Sequence, residues 1–154
     1  MKEIIAALIL WISANTYYNT DHPLPNIVFL SQEEMNSMYY KDNDHEPNSL
    51  HGMYDKDNDL IILPDTWDGR EPWDLGVLLH EMIHYYQDMN EMKFTCTQEM
   101  EKDSWPIQQF YLKSVHDYDW DYDQLWYIMI SNCSDPFTYY IICLLLRWFY
   151  FQLL

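Results

Sequence analysis

His80, Glu81 and His84 lie in the segment LLHEMIHYYQ, at a spacing that could hold a metal ion and move a proton. Residues four apart on an α-helix share one face, so both imidazoles could ligate one ion. Zinc takes imidazole nitrogens at about 2.0–2.1 Å. Glu81 would lie about 100° around the helix from His80, where its carboxylate can accept a proton from a metal-activated water. The pattern predicts zinc-assisted hydrolysis with His80 and His84 as ligands and Glu81 as the catalytic base.

A catalytic zinc normally has a third protein ligand, and the segment FTCTQEMEKDSWPIQQF offers two carboxylates for it. Glu99 and Glu101 are two positions apart, so on one helix they would face different ways and only one would reach the ion. The sequence does not continue as HExxHxxGxxH, because position 87 is Gln87 and the next histidine is His116. A metzincin is therefore disfavoured, while both glutamates stay open on spacing alone.

An HExxH motif followed by a helical glutamate resembles the gluzincin clan of zinc metallopeptidases, to which thermolysin belongs. A closer resemblance is to a family of short, uncharacterised bacterial proteins that look like minimal gluzincins. Six segments resemble that family in the same order: ALILWISANT, LPNIVFLS, HGMYD, IILPDTWD, LLHEMIHYYQ and CTQEMEKDSWPIQ. The resemblance implies a hydrolase of peptide or related amide bonds, with zinc as its cofactor and a peptide or protein as its substrate.

The resemblance also implies Glu101 as the third ligand. The family pattern Cys-x4-Glu-x2-small-aromatic-x2-Gln is met here by Cys96, Glu101, Ser104, Trp105 and Gln108. The last four of these also share one helix face.

Two observations keep the exact ligand set open. Glu99 with Asp103 copies the Glu-x3-Asp pattern of thermolysin and is the rival to Glu101. Pro106 is expected to shorten or kink the helix that carries them. Gln87, one turn beyond His84, is predicted either to support that ligand or to pack in the core.

The surrounding elements are predicted from turn residues and apolar periodicity. Ile27–Leu30 reads as a buried strand, and Ser31 with Glu34 forms a capping box for a following helix. Two short runs, Met53–Tyr54 and Leu60–Leu63, read as a hairpin joined by the acidic turn DKDND. The aspartates of that turn are spaced like the first ligands of a calcium-binding loop. The required glycine and closing glutamate are missing, so a plain turn is favoured.

The active-site helix is expected to begin near Pro72, with Asp74 as a possible cap, and to end near Asn90. These elements predict an α+β fold: a minimal zincin-like domain whose small, mostly antiparallel sheet packs on the HExxH helix and on a following glutamate-bearing helix. In such a scaffold, Leu60–Leu63 is the predicted sheet edge that pairs with an extended substrate.

The oxyanion of the transition state would also need a hydrogen-bond donor in addition to zinc, and the sequence indicates no decisive candidate for it. Tyr54, His51, His116 and Tyr118 are chemically suitable. For each of them an ordinary structural role is favoured.

The length and the net charge of the chain limit the number of domains and the kinds of partner that we expect. The chain has 154 residues, which predicts a single domain over residues 1–154 with a core of about 4–133. Its formal net charge of -17 argues against nucleic acid and against an anionic membrane surface. Oligomeric state is not predicted.

The two ends are apolar. Residues 4–12 suit either a signal-peptide core or a buried helix, and both the helical spacing and the resemblance favour a retained helix. The end, FTYYIICLLLRWFYFQLL, carries only Arg147 as a charge, and a packed or interface helix over 137–154 is favoured over a membrane tail. Without a convincing signal peptide, both a cytoplasmic and an exported location remain open.

Cys96, Cys133 and Cys143 permit one disulfide with one thiol left over, and a Cys96–Cys133 pair is compatible with an exported protein. Two other functions remain as alternatives to the peptidase. One is a metal-binding module without turnover, and the other is a membrane-tethered interaction protein that acts through its tail.

Overall fold

The computed structural model describes residues 1–40 and 50–133 and shows five α-helices, a short 3-10 helix and three strands within them. The helices are α1 (Lys2–Asn15), α2 (Gln32–Tyr40), α3 (Pro72–Met89), α4 (Glu101–His116) and α5 (Gln124–Ile130), and the 3-10 helix is Thr97–Met100. The strands are β1 (Asn26–Leu30), β2 (Met53–Asp55) and β3 (Leu60–Pro64). The predicted α+β class is confirmed. The helix expected over 137–154 lies outside the described residues.

The chain divides into two compact units. Of the described residues, the first comprises 1–40, 50–93 and 103–120, and so contains α1, α2, the sheet, α3 and most of α4. The second comprises 94–102 and 121–133, and the bond that the sequence left open, Cys96–Cys133, is formed within it. The prediction of one domain over the whole chain stays a prediction.

The sheet is mixed, with strand order β1-β3-β2. β2 and β3 form the predicted antiparallel hairpin, with Tyr54 opposite Ile61. β1 pairs with β3 in parallel along five positions, from Asn26 opposite Leu60 to Leu30 opposite Pro64. The expectation of a mostly antiparallel sheet is therefore wrong. A helix separates β1 from the hairpin, and a connection of that length allows the crossover that parallel pairing needs.

β3 is the central strand, so the prediction that Leu60–Leu63 forms the substrate-binding edge is wrong. Its backbone groups face β1 on one side and β2 on the other. A strand that is hydrogen-bonded on both sides has no free ladder for a peptide. Among the described strands, the edges are β1 and β2.

α3 forms the middle of the core. Eleven of its residues are buried, and Leu78, Leu79, Met82 and Ile83 are completely inaccessible to solvent. α1 contributes Ile5, Leu8 and Ile12 to the same cluster, in agreement with the predicted buried helix. Strand β3 adds Ile61 and Leu63 to it.

A glycine sets the distance between α3 and α4. A Cβ placed on Gly76 would lie 2.8 Å from Leu112 Cδ2 and 3.0 Å from Leu112 Cγ. Such a contact is shorter than van der Waals packing allows, so the two helices can approach this closely only because position 76 has no side chain.

The predicted capping box on α2 is present. The Ser31 backbone N–H donates to Glu34 Oε2 at 2.9 Å, and the Glu34 N–H donates to Ser31 Oγ at 3.3 Å. The cap predicted for α3 is different: α3 begins after Glu71, and Asp74 instead accepts from the Gly69 backbone N–H at 3.2 Å. Asp74 lies inside the first turn, so its carboxylate turns back to hold the preceding loop.

Pro106 was expected to shorten or kink α4, and it does not shorten the helix. The helix continues from Glu101 to His116 with the proline inside it. A proline has no N–H for the carbonyl four residues earlier, which here belongs to Lys102. That carbonyl accepts a hydrogen bond from the Tyr127 hydroxyl at 2.9 Å. An outside donor therefore satisfies the group that the proline leaves unpaired.

A search of residues 1–40 and 50–133 found no helix that is both long enough and apolar enough to span a membrane.

Candidate metal centre

The structure brings His80, His84 and Glu101 together. One ligand atom from each, an imidazole nitrogen or a carboxylate oxygen, lies within 4.8 Å of the others. The two histidines project from one face of α3, as their spacing predicts, and Glu101 is the first residue of α4. Within the described parts of the chain this is the group of histidines, cysteines and carboxylates with the geometry to hold an ion.

The two histidines are held in the same way. His80 Nδ1 lies 2.9 Å from Gln108 Oε1, and His84 Nδ1 lies 3.0 Å from Gln87 Oε1. Because a carbonyl oxygen only accepts hydrogen bonds, each Nδ1 carries the proton. Both glutamines are buried, so these bonds are shielded from water. Each histidine is thereby fixed in the tautomer in which Nε2 carries no proton.

The two Nε2 atoms face each other at 3.1 Å. With the proton of each ring on Nδ1, two lone pairs are directed toward the same point, an arrangement that a cation between or beside them would stabilise. Two nitrogens bound tetrahedrally to one zinc at about 2.0–2.1 Å would be roughly 3.3 Å apart. The residues therefore fit a zinc ion, with Glu101 as an anionic third ligand.

Glu99, the rival third ligand, is occupied elsewhere. Its carboxylate accepts from the Thr95 backbone N–H at 2.7 Å and pairs with Lys102 at 3.0 Å. The Thr95 hydrogen bond, followed by Lys102, holds the pKa of Glu99 below its usual value. The geometry favours Glu101, because its carboxylate lies within 4.8 Å of a nitrogen of each histidine, whereas Glu99 belongs to the 3-10 helix before α4.

Glu81, the predicted base, is buried on α3 beside the two histidines in sequence. Its side chain lies against the backbone of Gly52: a Cβ at that position would be 3.0 Å from Glu81 Oε1 and 2.9 Å from Val77 Cγ1. The segment that leads into β2 can run this close to the carboxylate only because residue 52 is glycine. Glu81 is therefore held between α3 and the start of β2.

A row of aromatic rings extends from His80 toward the beginning of α3. Trp105 lies edge-on to His80 with ring centroids 6.2 Å apart, and Trp105 packs on Trp120 at 5.0 Å. Trp120 contacts Trp73 at 5.1 Å, and Trp73 contacts His51 at 5.5 Å. These rings give the surroundings of His80 a largely apolar character.

Three of the four candidate oxyanion donors have other contacts, and the fourth is exposed. Tyr54 donates to Asp88 at 3.2 Å, and burial followed by the charge of Asp88 raises its pKa. His116 lies 3.2 Å from the Tyr111 hydroxyl. His51 packs on Trp73, as described above, and Tyr118 is exposed. No contact assigns any of the four to the metal centre.

Sequence reasoning missed the roles of Gly52, Tyr18 and Asp103. Tyr18 is buried, its hydroxyl donates to Asp103 Oδ2 at 2.9 Å, and its side chain is also hydrogen-bonded to Gln87. Only the Glu-x3-Asp spacing drew attention to Asp103, and it suggested a different role. Tyr18 lies more than sixty residues before Gln87, so no local pattern connects them.

The fold and the site define an α+β protein in which two histidines of one helix and a glutamate of the next form a candidate metal centre. Residues 1–136 match a family described as a domain of unknown function (DUF6647), and the chain belongs to that family. The match includes every residue of the candidate centre. Comparisons with curated proteins and with solved structures found no match.

Proposed function

We propose that this protein is a zinc-dependent metallopeptidase that hydrolyses peptide or related amide bonds. The observation that carries the proposal is the convergence of His80, His84 and Glu101, with the two Nε2 atoms 3.1 Å apart and turned toward each other. A His2Glu set to which residues 1–40 and 50–133 add no fourth histidine, cysteine or carboxylate is typical of catalytic zinc rather than structural zinc.

The chemistry that zinc would supply is the activation of a water molecule and the polarisation of a substrate carbonyl. The chain supplies the proton transfers. Glu81 is adjacent in sequence to the ligand His80, and as a carboxylate it can accept the proton of the attacking water and deliver it to the leaving amine. Its contact with the backbone at Gly52 fixes the carboxylate against α3.

The substrate would bind along β2. In the described part of the sheet, β2 has β3 on one side only, so its other side can add an extended peptide as a further strand. Gly52 immediately precedes β2 and lies against Glu81. A peptide paired to this edge would therefore run past the proposed base, which supports β2 as the substrate-binding edge in place of β3.

The test is zinc content by elemental analysis together with hydrolysis of a fluorogenic casein. We expect near-stoichiometric zinc in the wild type, loss of zinc in His84→Ala and Glu101→Ala, and retention in Glu81→Gln. Glu99→Ala is the matched control: it removes a neighbouring glutamate outside the group and should retain zinc. Glu81→Gln should lower hydrolysis by about 10²–10⁴-fold, the usual contribution of a general base.

The outcomes separate the proposal from its alternatives. A wild type that takes up no zinc when zinc is supplied, with folding verified by circular dichroism, would overturn the metal centre. A wild type that holds zinc but cleaves neither casein nor a peptide library would instead support a metal-binding module without turnover.

A further inference from the structure

The hydrogen bonds of His84 do not stop at Gln87. Gln87 is completely buried, and its side chain contacts both His84 Nδ1, at 3.0 Å, and the Tyr18 hydroxyl. The Tyr18 hydroxyl in turn donates to Asp103 Oδ2 at 2.9 Å. A continuous series of side-chain hydrogen bonds, called the relay below, therefore runs from His84 through Gln87 and Tyr18 to Asp103.

Asp103, the last residue of the relay, determines which group donates in each of its hydrogen bonds. An ionised carboxylate only accepts, so Tyr18 must donate to Asp103. The hydroxyl has one proton, so Tyr18 must accept from Gln87, which it can do only from the amide N–H2. The carbonyl end of Gln87 then faces His84 and accepts from Nδ1–H. The proton of His84 is thus directed to Nδ1.

The surroundings of Tyr18 maintain this order of donors and acceptors. Burial, together with the contact to Tyr17 and the charge of Asp103, raises the pKa of Tyr18, so the hydroxyl keeps its proton. The loop that carries Tyr18 is fastened to the end of α3: the Asn19 N–H donates to Asn90 Oδ1 at 2.9 Å, and Asn90 Nδ2 donates to the Asn19 carbonyl at 3.0 Å. The hydroxyl is therefore held beside Gln87, one helical turn from Asn90.

We infer that Tyr18 and Asp103 are positioning residues for the metal centre: through Gln87 they hold His84 in the Nδ1–H tautomer, so that its Nε2 is unprotonated and can bind the ion. This inference rests on the proposed metal site. Without the relay, Gln87 can turn its amide around, and the Nε2–H tautomer of His84 can donate to His80 Nε2, 3.1 Å away. Zinc binding would then require displacement of that proton.

The experiment compares Tyr18→Phe with Tyr17→Phe. Tyr17 also donates to Asp103 Oδ2, but it is exposed and lies at the outer end of the relay. Two readouts are used, neither of which requires turnover. One is the tautomer of His84 in metal-free protein, from long-range proton–nitrogen-15 NMR at a pH where the imidazoles are neutral. The other is zinc affinity by competition with a chromophoric chelator.

We expect Tyr18→Phe to move His84 toward the Nε2–H tautomer and to weaken zinc binding about tenfold, at the lower end of the effect usual for groups that support metal ligands. Tyr17→Phe should leave both readouts within twofold of the wild type. Gln87→Glu in the Tyr18→Phe background should restore the Nδ1–H tautomer, because a carboxylate accepts from His84 whichever way it turns.

Asp103→Ala provides a second route if Tyr18→Phe does not fold, because it removes the acceptor that sets the donor order and should shift the tautomer in the same direction. An unchanged tautomer and an unchanged zinc affinity in the relay variants would overturn the inference. If the wild type proves to bind no zinc, the proposed function fails on that result, and the NMR comparison still decides whether the relay sets the tautomer.

Discussion

At the scale of residues, the candidate centre depends on neutral partners. Both histidines donate to the side-chain carbonyl of a buried glutamine, Gln87 or Gln108, rather than to a carboxylate. A neutral acceptor fixes the tautomer without adding negative charge next to the ligands. The positive charge of a bound ion would then be reduced chiefly by Glu101, which favours a strongly acidic metal centre.

A buried tyrosine near this face offers a stability prediction. Tyr86 is completely buried, and its hydroxyl has no hydrogen-bond partner within the described chain. An unsatisfied buried polar group costs about 1–3 kcal/mol. We therefore expect Tyr86→Phe to raise the free energy of unfolding by about 1 kcal/mol at neutral pH, measured by urea titration. A loss of stability would show that the hydroxyl has a partner, such as a bound water.

The same substitution has a pH signature. Burial raises the pKa of Tyr86 to about 12 from its model-compound value of 10.0. Between these values the unfolded chain loses the proton first, so the native state binds more protons and its stability falls as pH rises. The advantage of Tyr86→Phe over the wild type should therefore be constant below pH 10 and increase from there toward pH 12.

At the scale of elements, the distance between α3 and α4 is decisive, because α3 carries the two histidines and α4 carries Glu101 and Gln108. Gly76 allows Leu112 to approach so closely that a Cβ would lie 2.8 Å from its Cδ2. Leu112 is fully buried and has little room to move. The ligand geometry therefore depends on a contact that lies one turn from His80 along α3 and about three turns from Glu101 along α4.

Gly76→Ala tests this contact. Overpacking costs about 1–3 kcal/mol, while alanine in place of glycine favours a helix by about 1 kcal/mol. We expect a net loss of about 1 kcal/mol in unfolding free energy, with weaker zinc binding.

The control is a double-mutant cycle with Leu112→Ala, measured by urea titration. In the Leu112→Ala background the steric conflict is gone, so Gly76→Ala should become stabilising because of its helix propensity. Equal effects in the two backgrounds would show that the two helices are not in close contact at this point.

At the scale of the whole molecule, a covalent link joins distant parts of the chain. The Cys96–Cys133 disulfide closes a loop with a sequence separation of 37 residues. The chain-entropy relation gives about 3–4 kcal/mol for a loop of this length. We expect a reducing agent to lower the free energy of unfolding by roughly that amount, with Cys96→Ser/Cys133→Ser giving the same value without the agent.

Cys143→Ser is the matched control for that experiment, since it removes the third thiol and leaves the bond in place. It should respond to the reducing agent as the wild type does. Identical unfolding midpoints with and without reductant would mean that the bond does not stabilise the protein.

Much of the secondary structure was predictable because its causes are local. Periodicity predicted α1 and α3, turn residues predicted the β2–β3 hairpin, and Ser31 with Glu34 predicted the start of α2. The apolar spacing, the turn residues and the capping side chains that determine these features each lie within a few residues of the element that they affect.

The incorrect predictions concern features that depend on a residue distant in the sequence. The parallel pairing of β1 with β3 depends on a crossover that local patterns do not encode, and it changes which strand forms the sheet edge. Pro106 was expected to shorten or kink α4, and the helix is not shortened, because the Tyr127 hydroxyl donates to the unpaired carbonyl of Lys102 from twenty-five residues away.

The sequence by itself determined the α+β class, the HExxH helix and the candidate residues His80, His84 and Glu81, with Glu101 or its rival Glu99 as the third ligand. Spacing on a helix is sufficient for the two histidines, since 3.6 residues per turn places them on one face. Only the tertiary structure favours Glu101 over Glu99, by placing its carboxylate beside the two histidines, and only it revealed the relay from His84 through Gln87 to Tyr18 and Asp103. Those choices depend on how α1, α3 and α4 pack, and packing joins residues that no local rule connects.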